Sequence, residues 1–271
     1  MTDYLFLALA MLVTGGVAGI LAGLLGIGGG IVIVPVMEAA LTWFGVDEAI
    51  RMHVAVATSL ATIIPTSVAS SRAHHRRKAV DLELIRRWAL FVLLGAFLGT
   101  VIASQVHSNV LSMIFAIVAL IVAVKMMLPL EGRTIADDVP RGVLMPIIPT
   151  GIGAVSSMMG IGGGTLSVAI LTLFNQPIHR AVGTAALFGL AISLPGTIGF
   201  VVSGLDDPRL PPGSLGYVNV IGFALISPMT FLAAPLGATI AHRLSRRHLS
   251  LLFGLFLVIV ATRMFYRALH G

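Results

Sequence analysis

Apolar stretches recur along the whole chain, and this recurrence limits the possible folds more than any other feature. A helix that crosses a lipid bilayer needs about 20 mainly apolar residues. Ten apolar segments are present, at residues 4–24, 27–44, 53–70, 84–104, 109–128, 141–158, 161–174, 180–203, 216–241 and 249–268. Only 10% of the residues are charged, so no soluble domain fits between the segments. The sequence predicts one all-α, polytopic transmembrane domain over residues 1–271.

Two of these segments are shorter than a full span. Segments 27–44 and 161–174 follow or contain glycine clusters, and about 10–14 apolar residues reach only partway across the hydrocarbon. They are therefore predicted to be half-spans or re-entrant helices.

The first of the ten segments, residues 4–24, has no basic region before it and no small-residue cleavage site. We therefore expect a retained span and not a removed signal peptide.

Charged residues are concentrated in the loops, and their sign predicts the topology. Residues 71–87 hold six Arg or Lys against two acids, residues 242–248 hold three arginines, and residues 203–214 are acidic and rich in proline. Because basic loops lie on the cytoplasmic side, both basic connectors are expected inside and both chain ends outside. This topology accounts for the pI near 10.7, so we expect the lipid bilayer, and no nucleic acid, as a partner.

The chain contains an internal repeat. The stretch GLLGIGGG at 23–30 matches SMMGIGGG at 157–164, and HVAVATS at 53–59 matches HRAVGTA at 179–185 in the same order. We therefore predict a duplicated unit of about five helical segments. Repeat one covers residues 1–130 and repeat two covers 140–271, with a cytoplasmic linker at about 130–141.

Equivalent connectors in the two repeats have opposite charge character. The basic connector 71–87 corresponds to the acidic 203–214, and the uncharged 105–109 corresponds to the basic 242–248. The repeats are thus predicted to have inverted topology. Inverted repeats with glycine-interrupted segments at matching positions are typical of secondary transporters, whose substrate binds between the halves.

The glycine motif itself excludes nucleotide binding. It lacks the Lys-Ser/Thr ending of a phosphate-binding P-loop and the βαβ context of a dinucleotide fingerprint. Helix packing is a simpler explanation for the row formed by Gly15, Gly19 and Gly23, which lets two backbones approach closely. Such a row serves packing within the chain or a homodimer equally well.

Packing does not account for three consecutive glycines, which would each cost about 1 kcal/mol in a helix interior. A broken helix explains them better, because a helix that restarts after the glycines presents free N–H groups that bind an anion. We therefore predict an anion site between the two motifs, with a purely packing or hinge role as the alternative. The predicted substrate-binding glycines are Gly26, Gly28, Gly29, Gly30, Gly160, Gly162, Gly163 and Gly164.

Four polar side chains at matching positions, together with Ser59, extend the predicted site. His53 and His179 are candidates for substrate binding or proton coupling, with a helix-capping or interfacial role as the alternative. Thr58, Ser59 and Thr184 are expected to donate hydrogen bonds to an oxyanion, unless they bond back to their own helices.

Four further residues complete the set of candidates. Arg180 is expected to attract the anion or to reach the interface from a helix end, and Pro65 and Pro195 are predicted hinges. Glu38 is the one acid well inside an apolar segment, and it joins the two histidines as a candidate for proton coupling. The chain has no cysteine and no catalytic or metal-binding motif, so we expect no enzyme activity and no cofactor.

The paired GIGGG motifs, each followed by an AV-G/A-T segment, resemble the TauE/SafE family of sulfite exporters, also called toluene sulfonate uptake permeases. The resemblance implies transport of small sulfur-containing or organic anions, such as sulfite, sulfoacetate or other sulfonates, across a bacterial inner membrane. Ala57 and Ala185 depart from the usual residues beside the threonines, and the second motif lacks a counterpart of Pro35. An anion channel of the same fold, or a membrane enzyme or assembly factor, are the alternatives to a transporter.

Overall fold

The structure is a computed structural model that describes residues 2–25, 29–128, 136, 138, 139, 142, 144–241 and 246–270. The ten predicted segments correspond to ten helices within these residues, and the all-α, polytopic prediction is confirmed. The first five are α1 (Thr2–Leu25), α2 (Gly30–Trp43), α3 (Glu48–Arg76), α4 (Leu82–Gln105) and α5 (Ser108–Met127). The second five are α6 (Leu144–Met159), α7 (Gly164–Leu173), α8 (Ile178–Gly204), α9 (Val220–Ala241) and α10 (Arg246–His270).

A small antiparallel hairpin precedes α9. It consists of β1 (Ser214–Leu215) and β2 (Val218–Asn219), and it begins at the last residue of the 203–214 connector. Most of the 130–141 linker, residues 242–245 and the motif residues Gly26 and Gly28 lie outside the described residues.

Four of the described helices are long and apolar enough to cross a membrane, namely α3, α4, α5 and α8. Their outward faces carry large apolar side chains, such as Phe97 on α4, Ile121 on α5 and Ile198 on α8. Helix α3 is the most enclosed of these four helices, because 78% of its most apolar stretch is buried inside the protein. The outward faces are therefore suited to contact with lipid, while the interior combines large apolar side chains such as Trp88 and Phe115 with buried hydroxyl groups.

The two short helices cannot span the membrane alone. Helix α2 has 14 residues and α7 has 10 residues, which at 1.5 Å per residue reach about 21 Å and 15 Å against a hydrocarbon core of about 30 Å. Each begins directly after a glycine in the left-handed conformation, Gly29 with φ of 74° and Gly163 with φ of 73°. The helices are thus interrupted where the glycine motifs predicted an interruption.

Glycines bring helices of opposite halves into close contact. A methyl group at Gly15 would lie 2.7 Å from the carbonyl oxygen of Ile226, and one at Gly19 would lie 2.6 Å from that of Thr230. Helices α1 and α9 therefore run parallel. The same arrangement joins α4 and α6, where Gly95 packs on Thr150 and Gly99 packs on Ala154.

The remaining long helices pair in the opposite sense. Along α8, Gly183, Gly189 and Gly196 face His74, Ser67 and Leu60 of α3 in turn, so these two helices are antiparallel.

Helices α5 and α10 are also antiparallel, because Gly254 contacts Met127 whereas Arg267 lines a cleft with Ser108. Pro65 and Pro195 lie inside α3 and α8, and both helices continue through them, so a hinge at either proline stays a prediction.

Candidate functional site

The N-termini of α2 and α7 are uncapped. Neither Gly29 nor Gly163 has a side chain that can accept from the first-turn N–H groups, and no side-chain cap is present at either helix. The first N–H groups of a helix have no intrahelical partner, and they carry a partial positive charge. Two donor-rich helix ends are therefore available inside the helix bundle.

The start of α2 lies against the second glycine motif, a few residues before α7 begins. A methyl group at Gly30 would collide with the carbonyl oxygen of Gly160 and would lie 2.9 Å from the Cα of Ile161. Ser59 of α3 donates a hydrogen bond of 2.7 Å to the same carbonyl of Gly160. The fold thus brings Ser59 and the two glycine motifs together, as far as their residues are described.

The matched threonines make matched contacts with the opposite half. Thr58 Oγ1 accepts from the backbone N–H of Asn219 at 2.9 Å, and Thr184 Oγ1 accepts from that of Asp81 at 3.0 Å. Asn219 and Asp81 stand directly before α9 and α4, and their side chains accept from N–H groups of those helices. Each threonine therefore fixes the start of a helix in the other half.

His53 is buried beneath the hairpin formed by β1 and β2. Its Nε2 lies 3.0 Å from the carbonyl oxygen of Ala103 and 3.1 Å from that of Val106, so Nε2 must carry the hydrogen to donate to them. The ring packs 5.1 Å from the ring of Tyr217. His53 is six residues before Ser59, which places it about 9 Å along α3 from the glycine contact.

His179 and Arg180 are not near the glycine motifs. Both are exposed in the first turn of α8, and Arg180 lies 4.0 Å from the carboxylate of Asp81. Gly189 is the residue of α8 that faces the carbonyl of Gly162, and it is about 15 Å further along the helix than His179. The repeat therefore placed the two histidines at equivalent sequence positions but not in equivalent surroundings.

Glu38 is ion-paired with two arginines of the last helix. Its carboxylate contacts Arg267 directly and lies 3.4 Å from Arg263, while Arg267 also donates to Thr42 at 2.6 Å. The group borders a cleft of about 120 Å³ that Arg51 also lines. The sequence reasoning missed both arginines, although their spacing of four residues inside an apolar segment was a usable signal.

Lys125 occupies the corresponding place at the other short helix. Its ammonium group donates to the carbonyl oxygen of Ala169 at 2.6 Å and lies 3.3 Å from Thr172 Oγ1, near the C-terminal end of α7. A cation there is stabilised by the negative end of the helix. Thr172 stands in the second repeat where Glu38 stands in the first, counted from the glycine motifs.

Among the described residues, five buried hydroxyl groups on α6, α7 and α8 have no hydrogen-bond partner. They belong to Ser156, Thr165, Ser167, Ser193 and Thr197. The sequence reasoning missed them as well, although aligning the glycine motifs shows Ala22, Ile31 and Ile33 at the places of the first three. Among the described residues, no group of three or more His, Asp or Glu side chains is arranged to hold a metal ion.

Comparison with known proteins places this architecture among transporters. The model of the sulfite exporter TauE/SafE family matches residues 11–264. A probable membrane transporter protein of Haemophilus influenzae is 35% identical over 268 residues, covering 97% of this chain and 100% of that protein. One of Methanocaldococcus jannaschii is 26% identical, with 97% of both chains covered. No solved structure matches the chain.

Proposed function

The chain belongs to the TauE/SafE family of multi-pass membrane transporters, and from this premise we propose that it is a secondary transporter of small sulfur-containing or organic anions. Sulfite, sulfoacetate and other sulfonates are the proposed substrates. The protein is proposed to act as a transporter only, without enzyme activity.

One observation carries the proposal: the uncapped N-terminus of α2 touches the glycine motif that leads into the uncapped N-terminus of α7. Gly29 and Gly163 start α2 and α7 in the same left-handed conformation, and Gly30 touches the backbone of Gly160. Their N–H groups are neutral donors that bind an anion without burying a fixed positive charge. An anion held there would contact both halves of the protein at once.

Alternating access between inverted repeats is the proposed mechanism. Inverted copies related by a two-fold axis in the membrane plane must place equivalent helices antiparallel. The antiparallel pairs α3 with α8 and α5 with α10 support this arrangement, as does the exchange in which α1 packs on α9 while α6 packs on α4. Rocking one half against the other would then open the glycine contact first to one side and then to the other.

Proton coupling is proposed to involve His53. Of the three candidates, His53 alone is buried along α3 close to the glycine contact, and its Nε2 is already engaged by two carbonyl oxygens. Glu38 is held as a carboxylate by Arg263 and Arg267, and His179 is exposed at the start of α8. Uptake driven by a pH gradient in the wild type, and lost in His53→Asn, is the expected result.

A bacterial inner-membrane location with both chain ends on the periplasmic side remains part of the proposal. Because the chain contains no cysteine, a single cysteine can be introduced into the 71–87 connector or at either end without background labelling. A membrane-impermeant thiol reagent should label the ends from outside and leave the connector unlabelled.

Transport is best tested in proteoliposomes loaded with unlabelled sulfite and given labelled sulfite outside. Saturable exchange that competing sulfonates inhibit is expected for a transporter, whereas flux that neither saturates nor shows counterflow would indicate a channel. No flux or binding with a broad panel of anions, by protein shown to be folded, would contradict both.

The glycine contact is tested by Gly29→Ala and Gly163→Ala, which should abolish exchange. Gly45→Ala is the matched control, because Gly45 also has a positive φ of 67° but lies in open space. If Gly29→Ala and Gly163→Ala lowered stability yet left anion binding intact, the glycines would be packing residues only.

A further inference from the structure

We propose that the side chains that bind the anion come from the second half, in a hydroxyl pocket formed by Ser156, Thr165, Ser167 and Ser193 around the N-terminus of α7. The pocket takes a monoanionic sulfur oxyanion, such as a sulfonate or bisulfite group. This inference rests on the proposed transport function and assigns its binding site to residues that neither the glycine motif nor the matched threonines include.

These hydroxyl groups differ from most buried hydroxyls in the described part of the chain, because they have no hydrogen-bond partner. Buried hydroxyls elsewhere in the helices donate back to a carbonyl three or four residues earlier, as membrane helices commonly allow. Thr62, Thr66, Thr100 and Thr230 all do so. Ser156, Ser167 and Ser193 are fully buried and Thr165 is 5% exposed, and none of the four has a partner.

Two of the unpartnered hydroxyls, those of Ser156 and Ser167, lie close to one point at the start of α7. A methyl group at Gly163 would lie 3.5 Å from Ser156 Oγ and 3.6 Å from Ser167 Oγ, so both oxygens flank the same face of this glycine. Thr165 is in the first turn of α7, whose N–H groups are uncapped. A ligand oxygen near this face would be within reach of hydroxyl and backbone donors together.

Helix α8 closes the pocket from the other side. Gly189 faces the carbonyl of Gly162, and the Cδ1 methyl of Ile192 covers Gly163. Ser193 is one helical turn beyond Gly189 and therefore on the same face. The cover is the flexible end of one side chain, and the proposed pocket admits a ligand through a rotamer change of Ile192.

The charge of the ligand follows from the donors. The four hydroxyls and the first-turn N–H groups are all neutral, and burying an anion without a compensating cation becomes more costly as its charge increases. The nearby cation on this side, Lys125, contacts α7 at its opposite, C-terminal end. A monoanion is therefore favoured over a dianion of similar shape.

The pocket is absent from the first motif. Ala22, Ile31 and Ile33 occupy the places of Ser156, Thr165 and Ser167, and all three are buried apolar residues. An oxyanion at α2 would have backbone donors only. The inverted halves therefore present the same helix end with different side chains, and only the second completes a site.

Calorimetric titration of purified full-length protein in nanodiscs tests this assignment, with methanesulfonate and sulfate as probes. We expect the wild type to bind methanesulfonate at least about tenfold more tightly than sulfate. Ser156→Ala and Ser167→Ala should each weaken methanesulfonate binding about tenfold, since each removes one hydrogen bond to an anion. Ser157→Ala is the control, because that buried hydroxyl already donates to Ala154 and its loss should leave affinity unchanged.

Thermal melting without ligand separates binding from structure. Because Ser156 and Ser167 have no partner, their alanine variants should melt at the wild-type temperature or slightly above it. If either fails to fold, Ser167→Cys, which preserves volume with a weaker donor, replaces it. A wild type that binds methanesulfonate, with Ser156→Ala and Ser167→Ala unchanged, overturns the hydroxyl pocket but leaves transport standing. A wild type that binds and transports no anion overturns the proposed function itself.

Discussion

The two GIGGG motifs have the same five residues, yet the helices that follow them begin in different surroundings. The first turn of α2 carries the buried apolar side chains of Ile31 and Ile33. The first turn of α7 carries Thr165 and Ser167 at the equivalent positions. The backbone of the helix start is the same, since Gly29 and Gly163 differ by only one degree in φ. Two motifs with the same backbone geometry can thus carry different side chains, apolar at one and hydroxyl-bearing at the other.

The far ends of the short helices differ in the same way. Glu38 near the end of α2 is held by Arg263 and Arg267, and Thr172 near the end of α7 meets Lys125. Each short helix thus receives a cation from the last helix of the opposite half, α2 from α10 and α7 from α5. Only the first half supplies the opposing carboxylate, so α2 is fastened more firmly than α7.

The largest change in stability should come from placing a hydroxyl-bearing residue of the second motif at the equivalent position of the first. Ile33→Ser removes a fully buried apolar side chain and adds a buried hydroxyl, which we expect to cost about 4 kcal/mol of unfolding free energy. Titration with a denaturing detergent in mixed micelles measures this change. Ser167→Ala is the comparison and should cost less than about 0.5 kcal/mol, because its hydroxyl has no partner. Equal losses in the two variants would show that the two motifs have the same surroundings.

An intermediate effect is expected at the far ends of the short helices. Glu38→Gln removes the charge that two partly exposed arginines share, at a cost of about 2 kcal/mol. Lys125→Met removes only a cation that caps the end of α7, at a cost of about 1 kcal/mol or less. Melting temperatures of the two variants in the same detergent compare them, and a greater loss in Lys125→Met would reverse the proposed difference in fastening.

The smallest effect concerns the hairpin that covers His53. The Arg209 guanidinium and the Tyr217 hydroxyl hold the pKa of the Asp207 carboxyl well below its usual value of 3.8. A carboxyl whose pKa is lowered by folding stabilises the fold above its unfolded pKa, and this contribution is lost as the pH falls through the folded value.

Hydrogen exchange at the amide of Asn219, which Thr58 binds, follows the hairpin directly. Protection should stay constant from pH 8 to about pH 5, after correction for intrinsic exchange, and should decrease only below about pH 4. Asp207→Asn should reduce protection at neutral pH. Protection that changes near pH 6 to 7 would instead implicate a histidine.

Much of the architecture could be predicted because it depends on local features. Apolar runs gave all ten helices within a few residues, apart from α3, which begins five residues earlier and ends six residues later than segment 53–70. Its extra turns carry polar residues such as Glu48 and Arg76, which a hydropathy pattern excludes. The extra turn at the helix start is stabilised by the Asp47 cap. The glycine breaks were predictable for the same reason, since consecutive glycines disfavour a helix wherever they occur.

The candidate site was predictable only in part. Ser59, Gly30 and Gly160 lie in contact, whereas His179 and Arg180 are exposed and distant from them. The repeat pattern gave both histidines equal weight, because sequence equivalence carries no information about what packs above each position. His53 is covered by Tyr217 of the hairpin, which has no sequence counterpart in the first half.

The sequence by itself determined that this chain is a helical membrane protein with two broken helices. Hydropathy and backbone preference are properties of neighbouring residues, and they act before any tertiary contact forms. Only the tertiary structure decided that Gly30 meets Gly160, that Glu38 pairs with Arg263, 225 residues away, and which hydroxyls remain without a partner. Those outcomes depend on contacts between helices that are distant in the sequence, which no local preference specifies.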